Sequence, residues 1–212
     1  MPAEPTNTEL EIKDLACVRG DRLLFRDLGL AMAAGELVQV SGPNGCGKTS
    51  LLRIVCGLAL AEVGSVLWHH EPTGNSERFK QDCAYVGHRD GLKADLSARE
   101  NLLFHSRLSG GDPEAVEPAI ERLELTACRD ILAGHMSAGQ RRRTALARLL
   151  LAGRRLWILD EPFTSLDVRG RGIVEDLLIE HQQGGGLSLF ASHQALQGPE
   201  LSALCRELSL SV

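Results

Sequence analysis

Hydrophobic and polar positions alternate through the first forty residues: Leu10 and Ile12, Leu23 and Phe25, Leu28, Leu30 and Met32, then Leu37, Val38 and Val40. A period of two predicts half-buried strands, with turns at Gly20-Asp21 and Ala34-Gly35. The period then changes. Leu51, Leu52, Ile54, Val55 and Leu58 fall at helical spacing behind a glycine-rich segment, and Gly57 stands where such a helix would end. Residues 92–150 read as helical, with Ser97 and Glu100 spaced as a capping box and Asp112-Pro113 as an N-cap before a first-turn proline. Beyond them Leu156-Trp157-Ile158-Leu159 is apolar on both faces, as in a strand buried on both sides. A helix carrying Ile173, Val174, Leu177 and Leu178 follows, then the strand Leu187–Phe190, so the order is βαβ. The pattern predicts an α/β protein: a mainly parallel sheet, an antiparallel N-terminal β layer and an all-helical arm.

At 212 residues the chain has room for one substantial core and an appended arm, so residues 1–212 are expected to form one domain with 92–150 inserted as a helical subdomain. Hydrophobic residues at 43% and charged residues at 24% suit a folded globular chain and argue against disorder. A formal net charge of -5 gives no global attraction to phosphate backbones, which counts against nucleic acid as the main partner. The 6 cysteines contain no C-x-x-C pair and read as reduced cytosolic thiols rather than a zinc or redox site. The opening residues, with Pro2 and Pro5, read as a frayed leader without a basic or apolar targeting pattern. No apolar run approaches the length a bilayer-spanning helix needs, so a protein that is neither secreted nor transmembrane is expected.

Gly42-Pro43-Asn44-Gly45-Cys46-Gly47-Lys48-Thr49, followed by Ser50, satisfies the P-loop pattern and sits between a predicted strand (Glu36 to Ser41) and an amphipathic helix. Glycines let backbone N–H groups turn inward around phosphates, and the helix N-terminus adds partial positive charge. Lys48 would reach the β/γ-phosphates and Thr49 would offer its hydroxyl to Mg²⁺, which makes ATP and Mg²⁺ the expected ligands. A glycine-rich turn without nucleotide is the plain alternative, and the lysine, hydroxyl and flanking periodicity together outweigh it. The fold expected is thus a P-loop NTPase core. Asp160-Glu161, at the carboxyl end of the apolar 156–159 strand, adds an acid placed to hold the metal (Asp160) and one placed to polarise an attacking water (Glu161).

Met136-Ser137-Ala138-Gly139-Gln140 and the following Arg141–Arg148 resemble the signature and helix of ABC ATPases. Ser137 would cap a helix whose amides and dipole face a phosphate, with Ala138-Gly139 leaving room for close approach. The resemblance implies that Ser137, Gly139 and Gln140 complete the nucleotide site of an opposite subunit, giving a head-to-tail homodimer around two ATP molecules. Ser165-Leu166-Asp167 is similar to the family's interface-crossing D-loop, and His193 to its switch histidine at the γ-phosphate; alone, His193 would read as a strand-end histidine with a structural role.

Two positions depart from the family pattern. His88, in Gly87-His88-Arg89-Asp90-Gly91-Leu92-Lys93, stands where most members carry a metal-contacting glutamine. Near the first strand, where an aromatic residue usually stacks on adenine, this chain offers Val18 or Arg19, and Arg19 reads equally as a stacking guanidinium or a solvated turn arginine. The cluster Arg141–Arg143 with Arg148, Arg154 and Arg155 reads as a solvated helix face or as partners of acidic residues, rather than as a nucleic-acid contact.

The His88 loop, the Ser-Ala-Gly-Gln signature, the block Leu156–Thr164 and Ser192-His193-Gln194 together resemble the ATP-binding export subunits of bacterial cytochrome c maturation. That resemblance implies membrane-spanning transporter subunits as partners, peripheral attachment at the cytoplasmic face of the inner membrane, and activity tied to haem transfer or release from a periplasmic chaperone. Two other classes share the catalytic motifs. A lipoprotein or solute transporter ATPase would be favoured by the usual glutamine at position 88, and repair or translation ATPases by a coiled-coil insertion or a second cassette, none of which this chain has.

Overall fold

The computed structural model of the chain describes residues 8–194 and 196–210, with Asn75 described by its backbone alone. The leader read at the N-terminus lies outside the described residues. Strands β1 (Thr8–Arg19) and β2 (Arg22–Ala33) pair antiparallel across Gly20-Asp21, as the alternation predicts. The buried apolar set on β1 is Leu10, Ile12, Leu15 and Cys17, so the inward phase slips by one residue after Ile12. Asp14 takes up the slip at φ 49, and Asp27 does the same on β2 at φ 52. Aspartate tolerates this left-handed conformation better than most residues. Without the slips a single register would turn half of each strand's apolar residues to solvent.

Strand β3 (Leu37–Ser41) leads through the glycine-rich loop into α1 (Lys48–Val55). The helix is closed off at Gly57, as read from the sequence, although Leu58 continues the apolar spacing. Gly57, at φ 70, donates its N–H to Ile54 in a C-terminal cap, so Leu58 lies outside the helix and is largely exposed. The chain returns to the first sheet as β4 (Val63–Trp68) and β5 (Glu71–Pro72), giving the order β2-β1-β4-β5. Helix α2 (Glu77–Asp82) then leads into β6 (Cys83–Val86).

The region 92–150 holds α3 (Ala98–Ser109), α4 (Val116–Arg122) and α5 (Ala138–Ala147), joined by loops and 3₁₀ turns. The Ser97/Glu100 capping box is formed, and Asp112 caps a single 3₁₀ turn that runs on into α4. Strand β7 (Leu156–Asp160), α6 (Val168–Gln183) and β8 (Leu187–Ala191) make the expected βαβ unit. Helix α7 (Pro199–Leu204) and β9 (Cys205–Ser209) follow. The second sheet is parallel throughout, in the order β6-β7-β8-β3-β9. No apolar alternation announces β9, because it is an edge strand with a mostly polar sequence and one neighbour.

The parallel sheet is covered on both faces. On one side Leu156, Ile158, Leu187, Leu189, Val38 and Val40 pack with α1 and the antiparallel sheet. On the other, Trp157, Leu159 and Phe190 pack with α6 and the helices of 92–150. The carboxyl ends of β3, β7 and β8 thereby meet at one rim, where the topology sets the chemistry-bearing loops. Ile158, with 0% exposure, sits at the centre of this arrangement. Ile158→Ala is expected to lower unfolding free energy by about 3 kcal/mol through lost burial and a residual cavity. Urea denaturation at unchanged slope checks this; a midpoint equal to the parent's would show that the site collapses without cost.

Candidate functional site

The loop between β3 and α1 wraps around its own lysine. Lys48 is buried, and its Nζ donates to the carbonyls of Gly42 (2.7 Å) and Pro43 (3.2 Å). Gly42 has φ 139, and a Cβ there would lie 2.7 Å from the Leu210 oxygen and 2.8 Å from Cys46 Sγ, so the tight entry into the loop admits no side chain. Cys46 is buried under the loop while Pro43, Asn44 and Gly45 are exposed. Helix α1 opens at Gly47 without a side-chain cap and without an acidic residue in its first turn. Its first amides, those of Lys48, Thr49 and Ser50, have no intrahelical acceptor and face the cleft with the helix dipole behind them. The cleft, about 240 Å³, is lined by Asn44, Gly45, Gly47, Lys48, Thr49, Ser50, Asp160, Glu161 and Leu24.

Asp160 ends β7 with 1% exposure, and its Oδ2 accepts the Thr49 hydroxyl at 2.9 Å. Burial raises its carboxyl above the usual range, opposed by the Thr49 hydrogen bond and reinforced by the neighbouring Glu161. A buried carboxylate and a hydroxyl converging at the mouth of a phosphate-shaped loop form a hard oxygen donor set, which fits Mg²⁺. Among the described residues no group of three His, Cys, Asp or Glu converges on one point. Phosphate oxygens and water would therefore complete such a shell, as Mg²⁺ prefers.

Glu161 has φ 53, uncommon for a residue with a Cβ and a long side chain. Its N–H donates to Ala191 O at 2.9 Å, so the strained turn is held against the end of β8. The turn aims the carboxylate at His193: Oε2 lies 2.8 Å from Nδ1 and accepts the backbone N–H at 3.4 Å. A carboxylate only accepts, so Nδ1 carries the proton and Nε2 is left facing outward from an exposed ring. The structure thus gathers Lys48, Thr49, Asp160, Glu161 and His193 at one rim.

His88 lies in a second cavity of about 470 Å³, lined also by Arg53, Tyr85, Arg89 and Arg148, that shares Thr49 and Asp160 with the cleft. Its imidazole is close enough to Asp160 to favour the ionised carboxylate. Ser137 caps α5 as expected, accepting the Gln140 N–H (3.2 Å), and the Gln140 side chain accepts the Ser137 N–H in return (2.8 Å), with Ser137 and Ala138 exposed. No residue of 137–140 lines the cleft of its own chain. Gly139 instead abuts the loop before α6, where an added Cβ would come 2.8 Å from the Ser165 oxygen. Asp167 serves as the N-cap of α6, accepting the Gly170 N–H at 2.8 Å. Arg19 and Val18 lie exposed at the hairpin tip, and neither lines the cleft; Leu24 is the residue of that hairpin that does.

The arginine cluster is not a solvated face; the alternative reading, pairing with acidic residues, holds for Arg142 with Asp90 and for Arg155 with Glu9 (2.5 Å). Arg142 is 3% exposed and donates to the carbonyls of Asp160 (2.7 Å), Glu161 (2.9 Å), Gly87 (2.8 Å) and Pro162 (3.4 Å), and to Asp90 Oδ1 (3.3 Å). Arg141 bonds the Met136 carbonyl, Arg143 those of Leu123 and Glu124, and Arg148 that of Asp90. Helical spacing could have revealed the first of these: Arg142, Ala145, Leu146 and Leu149 fall on one face, and all four are buried. Burial lowers the pKa of Arg142, and the Asp90 carboxylate opposes it. Its fork joins three segments: the His88 loop, the end of β7 and the helix behind Ser137. Arg142→Met leaves these acceptors and Asp90 unpaired, so a loss of about 3 kcal/mol is expected. Arg142→Lys keeps the charge without the planar fork and should recover less than half of it. Urea denaturation of both variants measures this, and a Met variant as stable as the parent would mean that the clamp contributes nothing net.

Comparison with known proteins adds to this geometry. Residues 25–164 match the ABC transporter family. The chain is 46% identical over 205 residues to the cytochrome c biogenesis ATP-binding export protein CcmA of Methylococcus capsulatus, covering 93% of this chain and 95% of that protein. It is 43% identical over 189 residues to the CcmA protein of Aliivibrio fischeri, covering 88% and 93%. The solved ATP-binding subunit of an ABC transporter superposes with a TM-score of 0.83 at 23% identity over 96% of this chain and 86% of that one, a likeness of fold. The chain belongs to the ABC transporter family as an ABC ATPase, and within it to the ATP-binding export proteins of cytochrome c biogenesis.

Proposed function

We propose that this chain hydrolyses ATP to drive a membrane transporter of cytochrome c maturation, as a homodimer docked peripherally at the cytoplasmic face of the bacterial inner membrane. The observation that carries the proposal is the pairing of Thr49 with Asp160 and of Glu161 with His193 at the mouth of the glycine-rich loop. Residues 1–212 act as one catalytic unit, with 92–150 as its helical arm. Among the described residues no helix is long and apolar enough to cross a membrane, and the likeness to ATP-binding export proteins supports partner subunits that span it as the recipients of the work. The cavity beside His88, where the arm meets the core, is the natural place for such a partner to dock.

Gly42 to Ser50 cradle the phosphates, with backbone amides and the α1 dipole facing the negative charge. Lys48 exchanges its two carbonyl contacts for the β/γ-phosphates. Thr49 and Asp160 would hold Mg²⁺, which when bound would neutralise charge on those phosphates, and His88, in the adjoining cavity that shares both residues, would stand beside it. Glu161 takes the proton of the attacking water, while His193 fixes the carboxylate through its Nδ1–H; a bond from Nε2 to the γ-phosphate oxygens, which only accept, requires a second proton on the ring. Ser137, Gly139 and Gln140 act on the nucleotide of the second copy, in keeping with the exposure of Ser137 and the absence of all three from their own cleft.

Glu161→Gln keeps the shape of the side chain and cannot accept the proton, so turnover should fall at least about a hundredfold with ATP affinity retained. Lys48→Ala should weaken nucleotide binding itself. In cells, both variants should still attach haem to its periplasmic chaperone and fail to pass it to c-type cytochromes. Covalent haem staining of chaperone and cytochromes in the same membranes reads this out. Normal cytochrome c with either variant expressed would rule out the haem role and leave the ATPase reading in place.

A further inference from the structure

Glu175 is a buried carboxylate with 5% exposure on the apolar face of α6, beside Ile173, Val174, Leu177 and Leu178. A carboxylate in that setting must have its oxygens satisfied. Both go to one short segment: Oε1 accepts the Gln197 N–H and Oε2 the Gly198 N–H, each at 2.9 Å. A Cβ on Gly198 would lie 3.0 Å from Oε2, so the fit is close. This segment is the far end of the loop that carries His193. Its near end is tied separately, where Gln39 Nε2 donates to Ser192 O (3.3 Å) and the Ser192 hydroxyl accepts the Gln194 N–H (3.0 Å). His193 stands between the two anchors and meets Glu161 at 2.8 Å.

We propose that Glu175 is a positioning residue for hydrolysis, clamping the loop behind His193 so that its imidazole stays seated on Glu161. Two charge-assisted hydrogen bonds to consecutive amides fix both the distance and the orientation of the returning chain. Helix α6 starts at the Asp167 cap, directly after Ser165-Leu166, so Glu175 also ties the His193 loop to the element behind Gly139. A purely structural Glu175 would stabilise α7 and leave the chemistry untouched. A positioning Glu175 acts only through His193. The inference rests on the proposed roles of Glu161 and His193.

The test is a double-mutant cycle on the full chain, with ATP turnover, ATP affinity and thermal midpoint measured for each variant. Glu175→Gln keeps one acceptor oxygen and turns an amide N–H₂ toward the second donor. It should lower turnover about tenfold through misplaced chemistry, with ATP affinity within about twofold. In a His193→Ala background the same substitution should change turnover by less than about twofold, because the group it positions is gone. Gly198→Ala, which presses a methyl group toward Oε2, should show the same dependence if Glu175→Gln fails to fold. Equal factors in both backgrounds, or parental turnover in Glu175→Gln and Gly198→Ala, would overturn the inference alone. Parental turnover in His193→Ala would withdraw the role proposed for His193 and the inference together.

Discussion

A guanidinium taken out of water has to find acceptors for its fork of N–H groups, and Arg142 finds them in three parts of the chain at once. Its partners are the carbonyls of Gly87, Asp160, Glu161 and Pro162 and the Asp90 carboxylate. Desolvating such an ion costs several kcal/mol, and the cost is offset only when the geometry satisfies the group in full. The segments it joins therefore cannot shift independently. The helix behind the exposed Ser137, the end of the strand carrying Asp160, and the loop carrying His88 share one cation, and moving any of them breaks bonds to the other two. A nucleotide in the cleft, a partner's signature and a membrane subunit beside His88 would all act on elements that meet at Arg142.

The rest of the rim is built on similar trade-offs. Glu161 is held at a positive φ by the bond from its N–H to Ala191 O and by Arg142 on its own carbonyl, and the strained turn delivers its carboxylate to His193. Asp160 is buried at a cost that raises its pKa, and the Thr49 hydroxyl recovers part of that cost. The apolar sheet makes both arrangements affordable, since Leu156–Leu159 and Leu187–Phe190 are buried on both faces and fix the strand ends from which these residues project.

Much of this was legible in the residues. The glycine-rich loop, the Asp160-Glu161 pair and His193 fall where spacing leads one to expect them, because each follows a strongly patterned strand, and the signature at 137–140 falls at a helix start marked by its capping serine. The antiparallel hairpin was legible as well, although the bulges at Asp14 and Asp27 were not: a one-residue slip leaves no trace in composition. Of the two readings given to the arginine cluster, pairing with acidic residues holds for Arg142, which meets Asp90, and the solvated face does not: charge in a helix is ordinarily solvated, and only the positions three, four and seven residues on show that its face is buried. Val18 and Arg19 drew attention because of where they fall in the family pattern, whereas the residue that reaches the cleft is Leu24, whose inward phase depends on the hairpin's register. Glu175 carries no motif at all, and its meaning appears only when the chain after His193 folds back on α6.

The central claim is that two copies of this chain share each nucleotide site, one giving the glycine-rich loop and the other the cap at Ser137. Mixing Lys48→Ala chains with Ser137→Arg chains tests it directly, with heterodimers verified by differential tagging. Both lesions then fall in one composite site of the heterodimer, leaving the other intact. The account predicts that ATP turnover returns in the mixture although each variant alone is inactive. Heterodimers as inactive as either parent would contradict it.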